Sequence, residues 1–438
     1  MSDDAEAGGA SAPLSGSIRF SLSLMMFLQY AIWGAWLPLL YPFLLGHRGF
    51  ALDQVGMVLA AGAVGAIIGP FIAGQVADRY FATEKFLAAS HLVGAVLVWR
   101  LAETADFKMF LWLSLFYGLI YAPTLALTNS LAFHHIPNRD RDFGRVRIWG
   151  TVGWIAAGIG VGHYLRLFHT PEGTPEVVAA AQDAGRAGAF YLSAILGVVM
   201  AVFCLTLPHT PPSKGTGQKN ATVEALGEIK RNPLFLLFLI AVPVSVIHQF
   251  YFVHTAQFLS ELQRNAESAD RLASAINGIL GVGGGGLMTL GQMAELLVLA
   301  AIPFLARKSS RKALLGAGLI AYAARMALFA YTTSFPMILL GVALHGVCFG
   351  CFIFVAFMVV DEETTKDVKA SAQNLFNLVV IGIGIIVGSW FATSVVGNWA
   401  TVDGAIDYRR LFSVPMWMAV ACLAVLVVFY PSKSSRAA

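Results

Sequence analysis

The feature that most constrains this chain is a succession of apolar runs, each about 20 residues or more, the length a helix needs to cross the hydrocarbon core of a bilayer. Taken with the turns and charges between them, they fall at 19–45, 54–76, 84–103, 108–133, 146–168 and 187–207, and then at 233–259, 275–305, 312–333, 335–360, 369–397 and 411–430. Lipid cannot hydrogen-bond a bare backbone, so segments of this length and character must be helical. Composition agrees: 57% of residues are hydrophobic and 12% are charged, whereas a soluble domain gives about a quarter of its residues to charge. The expected fold class is an all-α integral membrane protein with a dozen transmembrane helices.

The spans divide the chain. A tail at 1–18 precedes a six-helix bundle at 19–207, a polar linker covers 208–232, a second bundle covers 233–430, and a tail occupies 431–438. Pro208, Pro211 and Pro212 open the linker, and Glu224, Glu228, Lys230 and Arg231 close it, with a short surface helix expected at Val223–Lys230. The first residues carry Asp3, Asp4 and Glu6 and lack the basic start of a secretory signal, so the first apolar run is expected to be retained. Most of the 29 Lys and Arg residues, including the clusters Arg139–Arg147 and Arg307–Lys312, share one side with both termini and the linker. That bias puts this side in the cytoplasm, with the protein in a cell (inner) membrane.

Chemistry motifs are missing. There is no G-x-x-x-x-G-K-[ST] phosphate loop, no H-E-x-x-H and no Ser/His/Asp set, so neither an enzyme nor a cofactor is expected. Cys204, Cys348, Cys351 and Cys422 sit in apolar runs without metal or redox spacing and read as small packing residues. A net charge of +4 carries no nucleic-acid signal. Without ATP machinery, uphill transport of a small polar solute must draw on an ion gradient.

Polar groups inside a span are costly and therefore informative. Glu295 is the carboxylate well inside one, and Gln292 shares its helix face at i, i+3. Two readings of Glu295 stand: a solute or proton site, or a tie to Arg325 or Arg147 that holds helices together. The run Gly283–Gly286 is expected to loosen or kink the same helix. Arg147 and Thr151 lie four apart on one face of the fifth span, with Trp154 a turn deeper. Arg145 reads as an orientation residue. The seventh span is rich in polar residues (His248, Gln249, Tyr251, His254, Gln257), of which Gln249 is the expected site residue, His254 and Gln257 being near enough to the far end to snorkel. In the tenth, His345 and Phe349 share a face. Tyr30, Trp33, Trp36 and Trp149 are expected at the interface or packed toward lipid, and His134-His135 reads as an interfacial pair. An aromatic ring beside amide, guanidinium and carboxylate groups suits a solute with a flat apolar face and a polar edge, which describes nucleobases and sugars.

Six plus six spans about a central loop resemble the major facilitator superfamily. Gly74, Asp78 and Arg79 fit its G-x-x-x-D-R turn, which locks one conformation and releases in the other. Longer stretches resemble one family within it, the nucleoside:H+ symporters, over nearly the whole chain. They are Phe27-Leu-Gln-Tyr-Ala-Ile-Trp33-Gly-Ala-Trp36, Tyr121-Ala-Pro-Thr-Leu-Ala-Leu-Thr-Asn129, Arg147-Ile-Trp-Gly-Thr-Val-Gly153, Gln292-Met-Ala-Glu295 with Ile302-Pro-Phe304, and Ala370-Ser-Ala-Gln373. The resemblance implies a proton-coupled nucleoside importer working by alternating access, with nucleoside, protons and lipid as its partners; a monomer is expected. It implies that Arg147, Thr151, Trp154, Gln249, Gln292, Glu295 and Phe349 line the cavity, with Glu295 also the proton site. His345 stands where the family pattern has Tyr, Gly350 where it has Asp, and Phe252 where it has Asn. A sugar or polyol transporter of the same superfamily, or a membrane sensor on the transporter fold, are the alternative readings.

Overall fold

The computed structural model describes residues 13–72, 80–212, 227, 229–266, 271–365 and 368–431. The expected surface helix at Val223–Lys230 falls largely outside them, and the turn holding Gly74, Asp78 and Arg79 falls wholly outside.

Among the described residues, eleven helices are long and apolar enough to span a membrane. They are α1 (Gly16–His47), α2 (Leu52–Ile72), α3 (Thr83–Glu103), α4 (Phe107–His135), α6 (Ala187–Cys204, entered through Pro175–Gly185), α7 (Leu234–Ala266), α8 (Gly285–Lys308), α9 (Arg311–Tyr331), α10 (Phe335–Glu363), α11 (Ser371–Ala400) and α12 (Tyr408–Phe429). The twelfth, α5 (Arg139–Phe168), is 30 residues long, but its arginine-rich first turns and its Gly, Trp, Tyr and His residues make it less apolar. The twelve form two bundles of six, as the apolar runs require. A two-residue hairpin, β1 (Thr401–Val402) with β2 (Ala405–Ile406), links α11 to α12.

Small residues set the close crossings. Gly34 of α1 lies so near α5 that a Cβ there would stand 2.8 Å from the Trp154 Cα, and a Cβ at Gly153 would run into the Phe27 backbone. Gly65 on Gly118 joins α2 to α4 in the same way, and Gly197 meets Ala95 to join α6 to α3. Without a hydrophobic driving force between helices in lipid, this contact of backbones supplies much of the adhesion. Polar bonds add to it. Gln29 of α1 donates to Thr124 Oγ1 at 2.8 Å, its Oε1 meets His91 Nε2 at 2.9 Å, and its carbonyl accepts from Tyr121 OH. An unpaired amide at this depth would cost about 1–3 kcal/mol, so this network fixes α1, α3 and α4 together.

The structure departs from the sequence reading at three points. The span expected at 275–305 is two helices, Arg271–Leu280 and α8, separated by Gly281, Gly283 and Gly284 at φ 78°, 82° and 85°. Side chains are strained in that region, so the glycine run ends a helix outright rather than bending one. Trp36 is no belt residue: it is 3% exposed and packs on Tyr117 and Phe190 in the core of its bundle. His254 does not snorkel. It is fully buried, its Nε2 meets the Ala392 carbonyl at 3.0 Å, and its ring lies edge-on to Tyr41 at 4.8 Å. All four cysteines are buried and free.

The two bundles meet at the end opposite the linker. There the Val282 N–H donates to the Gly162 carbonyl at 3.0 Å, His163 Nε2 reaches the Ile279 carbonyl at 3.0 Å, and Arg166 reaches that of Gly278 at 3.3 Å. Arg186, fully buried at the entry to α6, pairs with Asp183 and donates to Ser260 of α7 at 3.1 Å. Asn398 of α11 donates to Asp53 of α2 at 3.0 Å. These bonds all lie at the far end, and they latch the halves there.

Candidate functional site

The face between the bundles is built from α5 on one side and α7, α8 and α10 on the other. On α5, Arg147, Thr151 and Trp154 follow at i, i+4 and i+7, which puts them on one stripe, and each is half-buried. The Arg147 guanidinium lies 4.1 Å above the Tyr30 ring of α1. That cation–π contact fixes the fork at the mouth of the cleft.

Opposite stands Glu295 on α8, its side chain 18% exposed and within electrostatic reach of Arg147. Gln292, a turn before it, is 7% exposed, and its buried Oε1 has no partner. A buried acceptor left open costs about 1–3 kcal/mol, which a donor on a solute would recover. His345 of α10 points its Nε2 at Glu295 Oε2, 3.5 Å away, and Phe349 stacks beyond it at 6.5 Å. Close approach of α10 to α8 makes this possible: a Cβ at Gly346 would run into the backbone of Ala294 and Glu295, and one at Gly291 would sit 3.0 Å from the His345 Cβ.

Of the sequence-predicted residues, Gln292, Glu295, His345 and Phe349 thus form one cluster, with Arg147, Thr151 and Trp154 on the facing helix. Gln249 stands apart. It is 7% exposed and turned toward α11, where its Nε2 donates to Ser389 Oγ at 2.9 Å and its Cβ packs under Gly388. Behind His345 lie residues that sequence reasoning did not assign to the site: Arg325 and Tyr322 of α9, and His248 and Tyr251 of α7. Tyr251 stacks on His345 at 4.8 Å and His248 at 5.4 Å, while His248 Nδ1 meets Tyr322 OH at 2.7 Å. The signal for Tyr322 was faint, three residues before Arg325 in an otherwise apolar span, whereas His248 and Tyr251 stood among the polar residues of the seventh span and Arg325 was a candidate tie for Glu295.

The position where the family pattern has Asp is tightly packed. Gly350 is buried, and a Cβ on it would stand 2.6 Å from Val298 Cγ1 and 3.9 Å from Ile302 Cδ1 on α8. An acid at this position of α10 would need Val298 to move. A model of the nucleoside H+ symporter family matches residues 16–435. The chain belongs to that family. A putative nucleoside transporter of Escherichia coli K12, YegT, is 34% identical over 382 residues, covering 84% of this chain and 82% of its own length. The xanthosine permease of the same bacterium is 29% identical, covering 94% of this chain and 95% of its own. A crystal structure of a mutant of the nucleoside transporter NupG superposes with a TM-score of 0.81 at 23% identity, over 94% of this chain and all of that one. A bacterial homologue of the lysosomal transporter Spinster superposes at 0.69 with 16% identity, over 96% of this chain and 97% of that one. The fold of this symporter is therefore that of the major facilitator superfamily.

Proposed function

We propose that the chain carries nucleosides into the cell together with protons, binding them between α5 and α8 and releasing them on the linker side. The observation that carries this reading is Gln292, with its unpartnered Oε1, beside the partly buried Glu295, both on the wall that faces Arg147. A nucleoside has donors for both acceptors in its ribose hydroxyls and base N–H groups, and a flat base for Trp154 and Phe349. Arg147 offers a planar fork of donors to the base carbonyls. Gln249, held by Ser389 of α11, reaches the solute only by turning away from that bond.

Transport follows from differential contact. Solute bound to α8 and α10 gains Arg147, Thr151 and Trp154 only when the linker-side ends close, and a ligand shifts a conformational equilibrium by what it gains in one state over the other. The far-end latch at Arg186 must then open. Glu295, the acid at the cleft, takes up the co-transported proton. The excess of Lys and Arg at the linker end supports cytoplasmic termini in a cell (inner) membrane. One twelve-helix chain contains both walls of the cleft, so it works as a monomer, as a transporter and not as an enzyme.

Uptake of labelled uridine, adenosine and xanthosine into proteoliposomes, with and without an inward proton gradient and beside a set of sugars, tests this. Nucleoside uptake that the gradient drives is expected. Sugar uptake without nucleoside uptake would replace the substrate, and nucleoside uptake blind to the gradient would remove the proton.

A further inference from the structure

Arg325 is the outstanding charge inside this protein. It is fully exposed to neither water nor lipid, being 0% accessible in the middle of α9, and no carboxylate bonds it directly among the described residues. Its guanidinium lies on the rings of Tyr251 at 4.4 Å and Tyr322 at 5.1 Å, and its Nε and Nη2 have no partner. A cation so placed demands an opposite charge within reach. The one hydrogen bond it makes points to where that charge is: Arg325 Nη1 to His345 Nδ1 at 3.2 Å, and, from the other ring nitrogen, His345 Nε2 to Glu295 Oε2 at 3.5 Å.

The direction of the bond from Arg325 settles the histidine. A guanidinium has only donors, so Nδ1 must accept, and the ring proton sits on Nε2. That Nε2–H faces the Glu295 carboxylate. A second ring proton would set N–H against N–H, so His345 is held as a neutral bridge between a cation and an anion. We propose that Arg325, through His345, is the counter-charge that governs when Glu295 binds its proton, and that both are positioning residues for coupling. This rests on the reading of Glu295 as the proton site.

The groups facing Glu295 are few. Arg147 approaches from α5 and His345 from α10, with Cys348 a turn on. Arg325 and Tyr322 of α9 and His248 and Tyr251 of α7 lie behind. While Glu295 is ionised, the chain Glu295–His345–Arg325 is closed in charge. When Glu295 takes a proton, Arg325 is left unbalanced in dry protein. Proton uptake is therefore resisted while the bridge through His345 is closed and eased when it opens.

The test is the pH profile of gradient-driven nucleoside uptake by the full chain in proteoliposomes, with labelled uridine, adenosine and xanthosine as probes. Removing a positive neighbour makes an acid easier to protonate, so the profiles of Arg325→Gln and His345→Phe are expected to move toward alkaline pH, by about one unit. His345→Gln offers an acceptor to Arg325 and a donor to Glu295, and is expected to keep the parental profile. Should Arg325→Gln fail to assemble, Arg325→Lys and His345→Phe carry the comparison. Profiles that superimpose on the parent, or uptake lowered at every pH alike, overturn the proposal when Glu295→Gln abolishes the gradient response. If Glu295→Gln itself responds to the gradient, the underlying reading falls with it.

Discussion

Replacing Glu295 by glutamine should separate movement of the solute from its accumulation. Glu295 is the carboxylate on the wall of the cleft between the bundles, largely buried and opposed to Arg147. One titratable acid on the path implies one proton per solute. A proton falling through one pH unit yields about 1.4 kcal/mol, a tenfold concentration ratio. A membrane potential of about 100 mV adds about 2.3 kcal/mol, roughly a further fiftyfold. The parent in vesicles at a gradient of one pH unit, with the potential clamped at zero, is thus expected to concentrate nucleoside up to about tenfold.

Glu295→Gln keeps the shape and an acceptor but cannot titrate, so that ratio should fall to one. Exchange of labelled for unlabelled nucleoside should persist, since it needs no net proton. Its half-saturation should rise about five- to tenfold, because a charge-assisted hydrogen bond becomes a neutral one at a loss of about 1 kcal/mol. The assay is paired: counterflow and gradient-driven accumulation from one reconstituted batch. Accumulation above equilibrium by Glu295→Gln would refute the assignment of the proton, and loss of exchange as well would mean that Glu295 is chiefly a structural tie.

Three further outcomes follow from packing and bonding. Gly350→Asp should not restore an acidic partner but should destabilise the protein by several kcal/mol, since its Cβ meets Val298 and its charge is buried without a mate; melting in detergent measures this, and Gly350→Ala with Val298→Ala should recover most of it. Arg186→Ala removes the Asp183 pair and the bond to Ser260; with an anion left unpaired, about 3–5 kcal/mol of far-end closure is lost, read as faster labelling, from the far side, of a cysteine placed in the cleft at Thr151. Gln249→Ala should raise the half-saturation for nucleoside about fivefold by loss of one hydrogen bond of about 1 kcal/mol, whereas Ser389→Ala, which only frees the amide, should cost less than that; equal effects would assign Gln249 to packing between α7 and α11.

How much of this was legible beforehand depends on what lipid makes expensive. Spans could be read because an unsatisfied backbone is forbidden in hydrocarbon, which forces long apolar runs whatever the helices touch. Glu295 and Gln292 could be read for the same reason, as polar residues standing in such runs. Arg325 met that criterion too, but its meaning lay in pairing: the alternative that Glu295 ties to Arg325 holds only through His345, and a bridge across three helices leaves no trace in the spacing along any one of them. Trp36 and His254 were misplaced because an amphipathic ring is equally at home at an interface and in a wet core, and only the partner helix decides. Gly350 shows the limit most sharply. As a missing acid it looked like a loss of chemistry, yet Val298 stands where its Cβ would go, and the counter-charge proposed for Glu295 is Arg325 of α9, relayed through His345 of α10 itself. A substitution at one wall of a buried site is thus interpretable only with the neighbouring walls in view, and the proton pathway of this symporter follows from which of them carries the cation.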